Sequence, residues 1–136
     1  MPHLQVKQIL FLLPCITLSL AFADQEVTEK AVIQAIKNGD ASALIKLCNT
    51  IIDLRLPSID GTYSKAQAGQ ILKDFLSRNP VKNFILQRQD KSEDGSPYTI
   101  AEMVAGSKKY RLFFLLMESK GIFLVQRLEI VEILRE

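Results

Sequence analysis

Apolar residues that recur every three or four positions predict two short helices in the first half of the chain. The first stripe consists of Thr28, Ala31, Val32, Ala35 and Ile36. Gly39 ends this helix, because glycine adopts a left-handed backbone without a Cβ clash, and Asp40 can cap the next helix. The second stripe consists of Leu44, Leu47, Cys48 and Ile51. The two helices are therefore expected to form a tight helical hairpin.

The period then changes and predicts a strand followed by a third helix. From Ile52 to Leu56, apolar residues alternate with charged ones, which is typical of a half-buried strand, and Pro57 ends it. Ser64 and Gln67 form a capping box that starts the helix, and Asn79-Pro80 ends it. The apolar stripe of this helix consists of Ala68, Ile71, Leu72, Phe75 and Leu76.

The remainder of the chain predicts an antiparallel meander of four strands joined by short turns. The strands run from Phe84 to Arg88, Tyr98 to Ala105, Lys109 to Glu118 and Ile122 to about Val131. The predicted order is α-α-β-α-β-β-β-β. Helices that precede an antiparallel sheet indicate an α+β domain with the helices packed on one face of the sheet.

One segment of the meander, Leu112–Met117, is apolar on both faces of its strand. An antiparallel strand with one wet face would alternate instead, so something is expected to cover the second face. A homodimer formed through the sheet would cover it, because large exposed apolar patches are unusual on monomers. Strong curvature of the sheet around an apolar pocket is the alternative.

The first 23 residues predict a bacterial secretory signal peptide. Lys7 precedes an apolar segment from Ile9 to Leu20, and the small residues Ala21 and Ala23 stand where a signal peptidase cleaves. The apolar segment is too short for a stable membrane anchor and contains Pro14. Cleavage leaves residues 24–136 as a single domain, exported to the periplasm or secreted.

Composition narrows the chemistry that is available after cleavage. The chain has 17 basic and 15 acidic residues, a balance that does not favour binding to nucleic acid. Both His3, the only histidine, and Cys15 belong to the predicted leader, so Cys48 has no disulfide partner. Without histidine, histidine-based triads and imidazole metal ligands are excluded. We predict no metal site and no cofactor.

Carboxylates, tyrosines and lysines are the groups that remain for catalysis or binding. Glu102 is the first candidate for a general base, if its strand face lines a cavity, and Asp53 is the second. The predicted binding residues are Tyr63, Tyr98, Tyr110 and Arg111. A structural interpretation stands beside each role. Glu102 and Asp53 would then be surface carboxylates, Tyr63 would pack at a helix start, and Arg111 would belong to a solvated hairpin.

The segment Gly61–Ala68, with Leu54-Arg55-Leu56-Pro57 before it and Phe113–Leu116 after it, resembles a known family. This is the exported bacterial domain of unknown function 4783 family, in the nuclear-transport-factor-2-like (cystatin-like) superfamily. The resemblance implies a cone-shaped, curved sheet wrapped around helices, with a cavity at its open end. The superfamily includes ketosteroid isomerases, dehydratases, binding domains and scaffolds, so the fold alone does not identify the function.

Two hypotheses for function follow from these observations. The preferred one is a non-catalytic module that binds a small apolar ligand or a protein or peptide partner. The alternative is a small isomerase- or hydrolase-like enzyme that uses a carboxylate as general base. The position of the carboxylates distinguishes them, because a catalytic cavity needs an ionisable base within hydrogen-bond reach of a second polar group.

Overall fold

The computed structural model describes residues 24–134, and the predicted signal peptide lies outside this range. The helices are α1 (24–37), α2 (Ala41–Lys46) and α3 (Lys65–Arg78). The strands are β1 (Cys48–Leu56), β2 (Ile59–Ser64), β3 (Val81–Lys91), β4 (Pro97–Ala105), β5 (Lys108–Ser119) and β6 (Ile122–Glu132). Within 24–134, no helix combines the length and apolar content that a bilayer crossing requires.

The predicted helix boundaries at Gly39 and Ser64 are confirmed. Gly39 has a φ of 66°, and the Asp40 carboxylate accepts the backbone N–H of Ala43 at 3.0 Å as the cap of α2. Ser64 and Gln67 form the full capping box of α3, which satisfies two backbone donors that the first turn leaves free.

The second helix is shorter than the pattern predicted, and this part of the prediction is wrong. Helix α2 ends at Lys46, and Cys48 and Ile51 belong to strand β1. The backbone N–H of Val125 donates to Leu47 O at 2.8 Å, and Cys48 pairs with Val125 of β6. The β-branched run Thr50–Ile52 also favours a strand. Tertiary pairing therefore overrides the helical spacing of these residues.

The sheet contains six strands in the order β2-β1-β6-β5-β4-β3, which confirms the α+β class. Two features of this sheet differ from the prediction. Strand β2 was not predicted: Pro57 was expected to end the strand, whereas the chain turns back after it and pairs with β1. Strands β1 and β6 are parallel, whereas the prediction was a purely antiparallel sheet. Local sequence patterns do not show a pairing between strands so distant in the chain.

All three helices contribute to a core on one face of the sheet, here called the inner face. Strand β4 alternates strictly, with Ala101 and Met103 buried on this face and Ile100 and Glu102 on the opposite, outer face. The largest fully buried side chains include Phe114, Ile36, Leu44, Leu72, Met103 and Leu128. Because the core fills the inner face, functional side chains must lie at its edges or on the outer face.

Candidate functional site

Two polar residues are buried in the described part of the chain, and they lie in the same cluster. Glu29 of α1 is 6% exposed, and Thr99 of β4 is fully buried. Gln89 of β3 connects them, and Gln25 of α1 completes what we call the Glu29 cluster. Burial of a carboxylate raises the free energy of the folded state unless hydrogen bonds compensate it. This cluster is therefore the first candidate for a functional site.

The amide groups of two glutamines hold the Glu29 carboxylate from opposite sides. Gln25 Nε2 donates to Glu29 Oε1 at 2.9 Å, and Gln89 Nε2 donates to Glu29 Oε2 at 2.8 Å. Gln89 Nε2 also lies 3.5 Å from the Thr99 hydroxyl oxygen. Each carboxylate oxygen thus accepts one hydrogen bond from an uncharged donor, and the carboxylate orientation is fixed.

The local folding of α1 and of the β3–β4 pair explains why these side chains converge. Glu29 lies three residues before Val32 and seven before Ile36, so it falls on the helix stripe that faces the core. Gln89 and Thr99 are cross-strand partners on the inner face. Glu29 was not among the predicted site residues, although a carboxylate in line with the apolar stripe of α1 is visible in the sequence.

A groove of about 550 Å³ opens beside the Glu29 cluster, between α1 and the end of β3. Its lining consists of Gln25, Glu26, Glu29, Lys30, Gln89, Asp90 and Lys91. The volume is within the range of small-molecule sites, and the lining is predominantly polar. Across 24–134, no three histidine, cysteine or acidic side chains come together to hold a metal ion.

Glu102, Tyr98 and Arg111 lie on the outer face of the sheet, away from this groove. Glu102 and Arg111 are cross-strand partners on β4 and β5, and Lys109 Nζ is 3.2 Å from Glu102 Oε2. Hydrogen bonds from Lys109 and Gln87 lower the pKa of Glu102 below its ordinary value. A carboxylate with a lowered pKa holds a proton less readily, so this environment does not favour a general base.

Asp53, Tyr63 and Tyr110 lie elsewhere in the fold. The Thr62 hydroxyl donates to Asp53 Oδ1 at 2.8 Å on the solvent side of the β1–β2 pair. Tyr63 is half-buried and packs against the core, and Tyr110 is buried with its ring edge-on to Phe75 at 5.6 Å. The four predicted binding residues therefore do not form one site, and their roles stay predictions.

Cys48 is a core residue of β1, whereas its place on the second apolar stripe predicted that it would lie in a helix. Its thiol is buried and donates to the Leu44 carbonyl at 3.3 Å. Burial raises the pKa of Cys48 from 9.0 to about 12. The nucleophilic thiolate is therefore scarce near neutral pH, and Cys48 is not a candidate nucleophile.

The outer face carries an apolar strip along β5 that none of the helices within residues 24–134 covers. Phe113 and Leu115 are half-buried and Met117 is 45% exposed, while their neighbours Leu112, Phe114 and Leu116 are buried on the inner face. Ile100 and Tyr98 of β4 pair with Phe113 and Leu115 and widen the strip. This arrangement accounts for the segment that is apolar on both faces.

Comparison with known proteins identifies a family and a fold. A family model described as Domain of unknown function (DUF4783) matches residues 29–131. A search of curated proteins returned no match.

Three solved structures illustrate the similarity of the fold. A DUF4783 family protein from Bacteroides uniformis has 21% identity and a TM-score of 0.72, covering 78% of this chain and 97% of its own. A ketosteroid isomerase-like protein from Erwinia carotovora atroseptica has 15% identity and a TM-score of 0.68, covering 83% and 96%. An NTF2-like protein from Cytophaga hutchinsonii has 14% identity and a TM-score of 0.59, covering 78% and 93%. At these identities the similarity shows the fold alone.

Proposed function

The chain belongs to the DUF4783 family, and on that premise we propose that it is an exported, non-catalytic domain that binds a small ligand beside Glu29. The observation that carries this proposal is the location of the buried polar residues. Glu29 and Thr99 are both buried, lie in one cluster, and border a groove large enough for a small molecule. The polar lining favours a polar ligand over the apolar one that the sequence suggested.

The arrangement around Glu29 favours binding over catalysis. An isomerase-like mechanism needs a carboxylate base and a second acid or phenol near the same reacting atoms. Here the donors to Glu29 are two neutral amides, whereas Tyr98 lies on the outer face and Tyr110 packs against Phe75. The hydrogen bonds orient the carboxylate, as a recognition group requires.

Nuclear magnetic resonance mapping with a small-fragment library tests the proposed site. We expect saturable amide shifts concentrated at Gln25, Glu29, Gln89 and Thr99, and recovery of each bound fragment chemically unchanged. Saturable shifts confined to the outer face would contradict the proposal. Turnover of a fragment that depends on Glu29 would instead favour the enzyme alternative.

The outer face supports a second proposal, that the domain forms a homodimer through its sheet. The apolar strip of Phe113, Leu115 and Met117 is bordered by charges of both signs, including Glu102, Arg111, Arg127 and Glu129. A border of mixed sign can face a second copy of itself, whereas a partner of one charge would meet repulsion somewhere on it. The apolar strip would then form the centre of the interface.

A further inference from the structure

Building on the proposed function, we infer that the ligand of the groove is a small organic cation whose ammonium group binds the Glu29 carboxylate. The inference depends on three features of the Glu29 cluster: its unused hydrogen-bond acceptors, the lack of an ion pair to Glu29 among residues 24–134, and an arrangement of acidic side chains in that range that is too sparse for a metal ion.

The Glu29 carboxylate retains acceptor capacity that the side chains around it do not use. Two carboxylate oxygens offer about four acceptor positions. The amides of Gln25 and Gln89 occupy one position on each oxygen, at 2.9 and 2.8 Å. A ligand whose N–H groups donate hydrogen bonds can use the remaining positions, whereas a ligand that carries only hydrogen-bond acceptors cannot.

The charge of Glu29 has no cationic partner in an ion pair within residues 24–134. Both of its hydrogen-bond donors are neutral, and a hydrogen bond from a cation to a carboxylate is stronger than one from a neutral donor. Lys30 and Lys91 line the same groove but are exposed, so water screens them more strongly than the buried Glu29. A cation in the groove therefore gains more from Glu29 than it loses to these lysines.

The remaining acidic side chains favour an organic cation over a metal ion. Asp90 is engaged by Arg88, whose Nη2 lies 2.9 Å from Asp90 Oδ2, and Glu26 lies on the exposed rim. Among the described residues that line the groove, Glu29 is thus the single buried carboxylate, and one carboxylate is too few for the hard-oxygen coordination that calcium or magnesium requires. An ammonium group needs only one carboxylate and two or three acceptors.

Three probes that share a four-carbon chain with a terminal hydroxyl group, and differ in the group at the other end, provide the test. These are 4-aminobutan-1-ol, 1,4-butanediol and 4-hydroxybutanoate, titrated into the ¹⁵N-labelled protein purified after export by a bacterial host. We expect the ammonium probe to bind at least tenfold more tightly than the other two, with shifts at Gln25, Gln89 and Thr99. Glu29→Gln should weaken its binding at least tenfold. Asp60→Asn makes the same change of charge at an exposed position of β2, at the opposite edge of the sheet from β3, and should change the affinity less than threefold.

The outcomes separate the ligand class from the proposed site. Equal or tighter binding of the diol or the carboxylate in this groove would overturn the cation inference and leave the binding site in place. Equal weakening by Glu29→Gln and Asp60→Asn would overturn direct recognition by Glu29. Failure of all three probes to bind the groove would overturn both the ligand class and the site. Thermal unfolding of each variant checks that Glu29→Gln retains the fold.

Discussion

At the scale of single residues, the Glu29 cluster shows how a polar group remains buried in an otherwise apolar core. Amide donors from α1 and β3 reach the two carboxylate oxygens, so the buried charge is hydrogen-bonded on both sides. Loss of one donor leaves a buried acceptor without a hydrogen-bond partner. The free-energy penalty of such an unpaired acceptor is larger than the net contribution of an ordinary hydrogen bond to stability.

Gln89→Leu should therefore lower the free energy of unfolding by about 1–3 kcal/mol. Leucine matches the size of glutamine but cannot donate to Glu29 Oε2. Urea denaturation followed by circular dichroism measures the change. Gln70→Leu, on the exposed surface of α3, is the control and should stay within about 0.5 kcal/mol. Equal stability of the two variants would mean that the Gln89 hydrogen bond is not important for the buried carboxylate.

Cys48 should resist thiol reagents in the folded protein, because burial raises its pKa to about 12. Ellman's reagent at pH 8 should label Cys48 only as fast as the protein unfolds, and rapidly in urea. The raised pKa also means that the folded state holds this proton more tightly than the unfolded state. The contribution of this protonated thiol to the free energy of unfolding is complete below pH 9.0, the ordinary pKa that Cys48 has in the unfolded chain. It is lost as the pH rises towards 12.

Rapid labelling of Cys48 under native conditions would contradict this account of the core. The pH dependence of stability is tested separately with Cys48→Ala. Above pH 9, the free energy of unfolding of this variant should fall less than that of the unmodified protein, because the ionisable thiol is gone.

At the scale of elements, local chemistry predicted the starts of helices better than the pairing of strands. The capping box at Ser64 and the strands of the β3–β6 meander follow from residues close together in the chain. Strand β2 and the parallel β1–β6 pair depend on contacts between distant segments. The candidate site was not predicted for the same reason: it depends on a contact between distant segments, and nothing near Glu29 in the sequence indicates that Gln89 lies beside it.

Ser64→Ala should destabilise the protein by about 1 kcal/mol, because it removes the side-chain acceptor that caps α3. Ser77→Ala, in the last turn of the same helix, is the matched control, since its hydroxyl donates only to the Asp74 carbonyl on the exposed surface. The difference between the two variants in urea denaturation isolates the cap. A loss of equal size at both positions would contradict a specific role for the capping box.

At the scale of the whole molecule, the fold separates two surfaces with different chemistry. The groove beside Glu29 lies at one edge of the helix layer, whereas the apolar strip of β5 lies on the outer face of the sheet. Because the surfaces do not share residues, ligand binding and self-association can be altered independently. A variant on one surface can therefore serve as a control when the function of the other surface is tested.

Phe113→Lys should weaken the proposed homodimer by at least about a hundredfold, since a lysine at the centre of an apolar interface must be desolvated. In the monomer the new lysine lies opposite Glu129 on β6, so the sheet should tolerate it. Light scattering after size exclusion, over a range of protein concentrations, measures the association. Val27→Thr, at an exposed position on α1, is the control and should associate like the unmodified chain. A monomeric unmodified protein at micromolar concentration would contradict the dimer.

Native mass spectrometry of the protein purified after export tests the central claim, that the Glu29 groove is a ligand site. We predict that the unmodified chain retains a small molecule that is released on denaturation, that Glu29→Gln lacks it, and that Asp60→Asn and Phe113→Lys keep it. Retention of the same molecule by Glu29→Gln, at the same occupancy as the unmodified chain, would contradict the claim.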